Sequence, residues 1–156
     1  MRYPRNEKIS NGVKVTIKNS QKKIPIDPRT IKKAALKVLS SQSKEKSGEI
    51  SICFVTDKRI KQLNRLYLGK NEPTDVLSFD LTETDDAKKK LFADIIISTD
   101  TALSNSKIFK TSALCEIHMY VVHGLLHLLG YDDGTLKERR IMEQKTKQAL
   151  KTLQTG

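Results

Sequence analysis

The sequence predicts an α+β fold: a single domain with a mixed four-stranded sheet and about five helices. Three observations carry the prediction. The chain has 156 residues, the length of one ordinary domain. In its first half, short apolar runs rich in β-branched residues alternate with segments of helical spacing. In its second half, two strand-like segments come in succession and only helical patterns follow, which breaks the strict alternation of a parallel α/β fold. No repeat or linker divides the chain, so residues 1–156 are read as one domain.

Val13 to Ile17 alternates as a strand does. Asp27 and Pro28 supply an N-cap and a first-turn residue for a helix carrying Ile31, Ala35, Val38 and Leu39 on one side. Ile50 to Val55 reads as a second strand, and Asp57 is placed to cap a helix with Ile60, Leu63 and Tyr67 at helical spacing, ended by Gly69 and Pro73. Asp75 to Leu81 and Ala93 to Ser98 read as strands. The polar stretches Ser40 to Ser47 and Thr82 to Lys90 read as surface loops, the second an acid-then-base run that suits solvent. From Asp100 the pattern is helical, over Thr101 to Phe109, Ser112 to Leu129, and Leu136 onward, where Thr135 and Glu138 form a T-x-x-E capping box.

Composition narrows the function. Lysine and arginine number 29 against 18 acidic residues, a net charge of +11, which favours a polyanionic partner through phosphate contacts and counterion release. The plainer account is a small protein kept soluble by lysine. Cys53 and Cys115 have no C-x-x-C partner and read as reduced core residues, not a disulfide framework. The opening M-R-Y-P-R-N-E-K lacks an apolar stretch behind it, and no run approaches a membrane span, so the expectation is a cytoplasmic protein with no membrane partner.

The informative segment is H-G-L-L-H-L-L-G-Y-D-D, from His123 to Asp133. Four residues turn a helix about 40° past a full turn and advance it about 6 Å, so His123 and His127 project from one face toward one point. Gly130 stands where the apolar pattern stops and can adopt the left-handed conformation that reverses the chain. Three further residues span at most about 10 Å, enough to return Asp133 to the histidines. Two imidazoles, one carboxylate and an open coordination position make a metal site, with zinc as the expected ion. The plainer alternative is two core histidines followed by a turn in which Asp132 and Asp133 are ordinary turn residues.

His118 lies about 140° around the helix from His123 and cannot join the same ion, so it reads as exposed or structural. Glu116, seven residues before His123, falls on nearly the same stripe and is a second-shell or proton-carrier candidate, set against the alternative of a surface glutamate.

The spacing H-x-x-x-H-x-x-G-x-x-D is similar to that of metzincin metalloproteases, which place their general-base glutamate directly after the first histidine. Gly124 occupies that position here and cannot activate water. The segment resembles more fully the YbeY family of bacterial rRNA-maturation endoribonucleases, whose signature H-G-x-L-H-L-x-G-Y-D-H coincides with His123 through Asp132. L-N-R-L-Y-L-G-K-N-E-P-T-D-V-L-S-F, from Leu63 to Phe79, and F-A-D-I-I-I-S, from Phe92 to Ser98, resemble two further blocks of that family, so the likeness extends over essentially the whole domain.

Two positions depart from the pattern. Asp133 stands where the family usually has a third metal-binding histidine; aspartate also binds zinc, but its charge lowers the Lewis acidity of the site and suits iron or manganese too. Leu68 stands where many members carry an arginine linked to RNA cleavage, leaving Lys70 and Arg65 as RNA-binding candidates. The resemblance implies a metal-dependent, single-strand-specific endoribonuclease acting near the 3′ end of small-subunit rRNA and associating with ribosomes, with RNA along a basic groove and no DNA substrate. Asp75 and Asp94 flank the presumed cleft as possible orienting groups, with no residue assigned as the base. The rival reading is a non-catalytic, metal-stabilised ribosome assembly or RNA-binding factor.

Overall fold

Apolar β-branched runs become strands and amphipathic runs become helices in the order the sequence predicts. The computed structural model describes residues 12–42, 47–82 and 90–154; residues 1–11, 43–46, 83–89 and 155–156 lie outside them, and with them half or more of each stretch read as a surface loop. Among the described residues the order is β1 (Val13–Asn19), α1 (Pro28–Gln42), β2 (Ser47–Val55), α2 (Asp57–Leu68), β3 (Val76–Asp80), β4 (Lys90–Ser98), α3 (Thr99–Ile108), α4 (Ala113–Leu128) and α5 (Leu136–Gln154). β2 and β4 begin earlier than their apolar runs because each extends the other's parallel ladder, starting at the pair Ser47 and Lys90.

The sheet order is β1-β2-β4-β3, with β1, β2 and β4 parallel and β3 antiparallel at the edge. Strand alternation sorts the side chains to two faces. On one face Val13, Val15, Ile50, Ile52, Phe54, Ile95 and Ile97 pack with α1 and α4 in the main core. On the other, Val55, Leu77 and Ile96 meet Ile60 of α2 in a small cluster. α5 joins the main core through Met142, so the helices that flank the candidate site share one hydrophobic base.

α2 ends at Gly69, as the sequence reading has it, and departs from that reading at its N-cap and at Tyr67. Its N-cap is Thr56, whose hydroxyl accepts the Arg59 N–H at 3.3 Å, while Asp57 accepts hydroxyl donations from Ser98 at 2.5 Å and Thr101 at 2.7 Å. Tyr67 is 63% exposed, because α2 buries only Ile60 and Asn64 and the ring lies beside Phe79 at a centroid distance of 5.2 Å. Cys115 is exposed rather than buried, since the inward face of α4 begins at Glu116 and Ile117. Cys53 is half-buried, and burial, then the charge of Asp94, pushes its thiol pKa up. No described helix is long and apolar enough to cross a membrane.

Candidate metal centre

α4 lies close on the sheet where it carries the histidines. A Cβ on Gly124 would come within 3.0 Å of Ile95 Cγ2, 3.1 Å of Ser78 Oγ and 3.3 Å of Val76 Cγ2. At the position that a metalloprotease fills with glutamate, even a Cβ would press on these neighbours here. Ser78 Oγ donates to the Gly124 carbonyl at 3.2 Å, fixing the helix to the edge strand β3.

The helix ends as Gly130 predicts. Gly130 has φ of 100°, its N–H donates to the His127 carbonyl at 3.1 Å, and the Tyr131 N–H donates to the Leu126 carbonyl at 3.1 Å. This pair of bonds is a Schellman reversal. The turn is held again beyond it: Tyr131 OH donates to Gln42 of α1 at 3.2 Å, the Gly134 N–H to Glu138 Oε2 at 3.1 Å, and the Glu138 N–H to Thr135 Oγ1 at 3.1 Å. Asp133 thus stands between a helix stop and a helix cap.

The result is convergence. Asp133 Oδ2 lies 3.9 Å from His123 Nε2 and 3.7 Å from His127 Nε2, and one ligand atom from each residue falls within 4.8 Å of the others. A tetrahedral ion with bonds near 2.1 Å separates its ligand atoms by about 3.4 Å, so the three can hold a metal ion once the carboxylate closes by a few tenths of an ångström and the group as a whole by at most about 1.4 Å. The imidazoles are each about one-third exposed and meet edge-on, with centroids 5.2 Å apart. Burial, then the neighbouring His127, holds His123 below the ordinary histidine pKa, against the opposing charges of Asp75 and Asp133. That keeps its nitrogen lone pair available at neutral pH.

The remaining sequence candidates divide. Asp132 Oδ1 lies 3.8 Å from His127 Nδ1, on the side away from Asp133, where a carboxylate can orient a ligating imidazole. Asp75 lines the cleft beside His123, its Oδ1 accepting the Val76 N–H at 2.8 Å and the Thr74 hydroxyl at 3.3 Å. Glu116 is 1% exposed, so the surface-glutamate alternative fails; it accepts the Thr111 hydroxyl and makes no described contact with His123. Asp94 is not brought to the group: it alternates with Ala93 and Ile95, which face α4, and sits on the α2 side near Cys53. His118 turns away, with Nδ1 2.7 Å from the Leu114 carbonyl oxygen.

The cleft over the histidines runs along β3, a cavity of about 390 Å³. Leu68 lines it, as do Asp75, Asp80 and Asp133, and no described lysine or arginine does. Arg65 lines a separate surface depression with Lys58 and Lys61, and Lys70 is exposed beyond the end of α2. Among the described residues, then, the RNA-binding candidates Arg65 and Lys70 do not line this cleft.

Residues 16–154 match the sequence profile of the family described as endoribonuclease YbeY. The chain belongs to the YbeY family. A relative from Syntrophus aciditrophicus, named endoribonuclease YbeY, is 38% identical over 140 residues, covering 87% of this chain and 86% of its own. One of the same name from Alkaliphilus metalliredigens is 34% identical over 151 residues, covering 92% and 96%. The solution structure of a Thermotoga maritima protein, 24% identical, aligns with a TM-score of 0.60 over 89% of this chain and 88% of its own, a likeness of fold.

Proposed function

We propose that this chain is a metal-dependent endoribonuclease that cuts single-stranded rRNA, near the 3′ end of the small-subunit rRNA, during ribosome maturation in the cytoplasm. The observation that carries the reading is the convergence of His123, His127 and Asp133 at an open cleft in a chain of the YbeY family. His123 and His127 would hold the ion through Nε2 and Asp133 through Oδ2, with zinc the first choice and iron or manganese admitted by the carboxylate. When bound, a divalent ion supplies the Lewis acid for phosphodiester hydrolysis. The chain's own groups do the positioning: Ser78 fixes the helix against β3 and the Gly130 reversal holds the third ligand in place, while Asp132 stands 3.8 Å from His127 Nδ1, within reach of it by a small side-chain rotation.

Metal content of protein purified without added metal, together with cleavage of single-stranded rRNA by wild type and His127→Ala, tests the proposal. About one equivalent of metal, with cleavage that a chelator and His127→Ala both abolish, supports it. One observation favours a second reading, a non-catalytic ribosome assembly or RNA-binding factor: no described cation lines the cleft along β3. Metal without metal-dependent cleavage would leave that reading standing.

A further inference from the structure

A second cavity opens on the same metal group from the other side. It lies between α4 and α5, encloses about 440 Å³, and shares Asp75, His123 and Asp133 with the cleft along β3. The two differ in character. The β3 side presents acidic groups alone among its described charges, whereas the α4–α5 side adds Arg139 and Lys147 to the shared Asp75 and Asp133 and to Glu143, over a floor that includes Met119, Met142 and Leu150.

Charge decides which side a polyanion can occupy. Asp75 and Asp133 border both sides, so the difference lies in the remaining groups: a phosphate on the β3 side meets Asp80 with no described cation, and only the ion itself would offset the like charge. A phosphate on the α4–α5 side meets Arg139, an exposed side chain whose guanidinium makes no hydrogen bond or ion pair with any described residue. Lys147 is already paired with Glu143 at 3.3 Å, so Arg139 is the cation at this rim with its donors uncommitted. A guanidinium presents a planar fork that matches two phosphate oxygens at once. The floor answers the other half of a nucleotide: the Met119 thioether and Leu150 pack well on the flat face of a base, which can enter only when it is unstacked, as in a single strand.

We propose that the α4–α5 groove binds the nucleotide adjacent to the scissile phosphodiester of single-stranded RNA, Arg139 holding its phosphate and the half-buried Met119 and Leu150 packing against its base. The groove supplies the cationic contact that the β3 cleft lacks, and it selects single strands by requiring a free base. The assignment rests on the endoribonuclease reading.

Binding and cleavage separate the two. Fluorescence anisotropy with a hydrolysis-resistant phosphorothioate RNA oligonucleotide is measured on the protein as purified, for wild type, Arg139→Ala, Arg139→Lys and Lys58→Ala, over a range of salt. Arg139→Ala is expected to weaken binding about tenfold and to reduce the salt slope by about one, Arg139→Lys to recover part of the loss, and Lys58→Ala to stay within about twofold of wild type. An abasic oligonucleotide should bind wild type several-fold more weakly. With cleavable RNA, Arg139→Ala should raise KM far more than it lowers kcat. Equal binding by wild type and Arg139→Ala, an equal loss in Lys58→Ala, or abasic binding as tight as normal overturns the groove. If wild type does not cleave but binding still depends on Arg139, the nuclease reading falls and the groove stands; if it cleaves with KM insensitive to Arg139, the reverse holds. No binding by wild type overturns both.

Discussion

The Ser78 hydroxyl donates to the carbonyl oxygen of Gly124 at 3.2 Å, joining the edge strand to the middle of the histidine-bearing helix. A Cβ at position 124 would stand 3.1 Å from that hydroxyl, and Ile95 Cγ2 and Val76 Cγ2 close the same gap. The register of His123 and His127 over the cleft follows from that close approach.

Gly124→Ala tests it. Overpacking here should cost about 1–3 kcal/mol, against a gain of about 1 kcal/mol in helix propensity, so thermal unfolding should show a net loss together with weaker metal binding. Ser78→Ala added to Gly124→Ala removes one of the crowded atoms and should restore part of the stability. A single variant as stable as wild type would mean that Ile95 and Ser78 yield without cost.

Metal content should follow the ligand set. His127→Ala removes one of three ligands and should abolish stoichiometric binding, measured by metal analysis after gel filtration. Asp132→Asn leaves all three in place and removes only the carboxylate beside His127 Nδ1, so affinity should fall about tenfold, at the weaker end of orienting-group effects.

Gly130→Ala addresses the turn. Nothing lies within 4 Å of the added Cβ, so the strain is confined to a backbone at φ of 100°. A loss of about 1–2 kcal/mol is expected, with reduced metal affinity as Asp133 shifts. Gly134→Ala, at a residue without positive φ, should stay within about 0.5 kcal/mol of wild type by the same denaturation assay.

Asp100 gives a pH dependence away from the site. Its carboxyl is held below the usual carboxylate range, first by the Lys23 ammonium at 2.6 Å and then by the Asp57 N–H at 2.8 Å. A depressed carboxyl stabilises the fold above its unfolded-chain value and loses that contribution as pH falls through the folded value. Asp100→Asn should therefore lower Tm most near neutral pH, with the difference shrinking below about pH 4. A difference independent of pH would show that the charge plays no part.

The metal group was legible because its geometry is local. Helical spacing sets His123 against His127, and one glycine turns Asp133 back, with no information needed from the rest of the chain. What depended on distant partners was not legible. Asp94 and Ala93 are neighbours on β4, and which one faces the histidines depends on which side of the sheet α4 covers. Glu116 reads as surface by residue type, yet the Thr111 hydroxyl makes its burial tolerable. Tyr67 fits a helical stripe, but α2 has only a narrow cluster beneath it and leaves the ring outside. Arg139 gave no sequence signal, since one more arginine in a basic helix becomes notable only when α5 is packed beside α4.

Where the ligands come from also governs what the ion has to do. His123 and His127 ride on a helix whose inner side, through Val121, Val122, Leu125 and Leu126, is already sealed into the main core, and the turn carrying Asp133 is fastened at both ends by hydrogen bonds that involve no ion. Stripping the metal should therefore silence the centre while leaving the scaffold standing. Different divalent ions could then be exchanged in the folded protein, with cellular supply rather than refolding setting which one it carries.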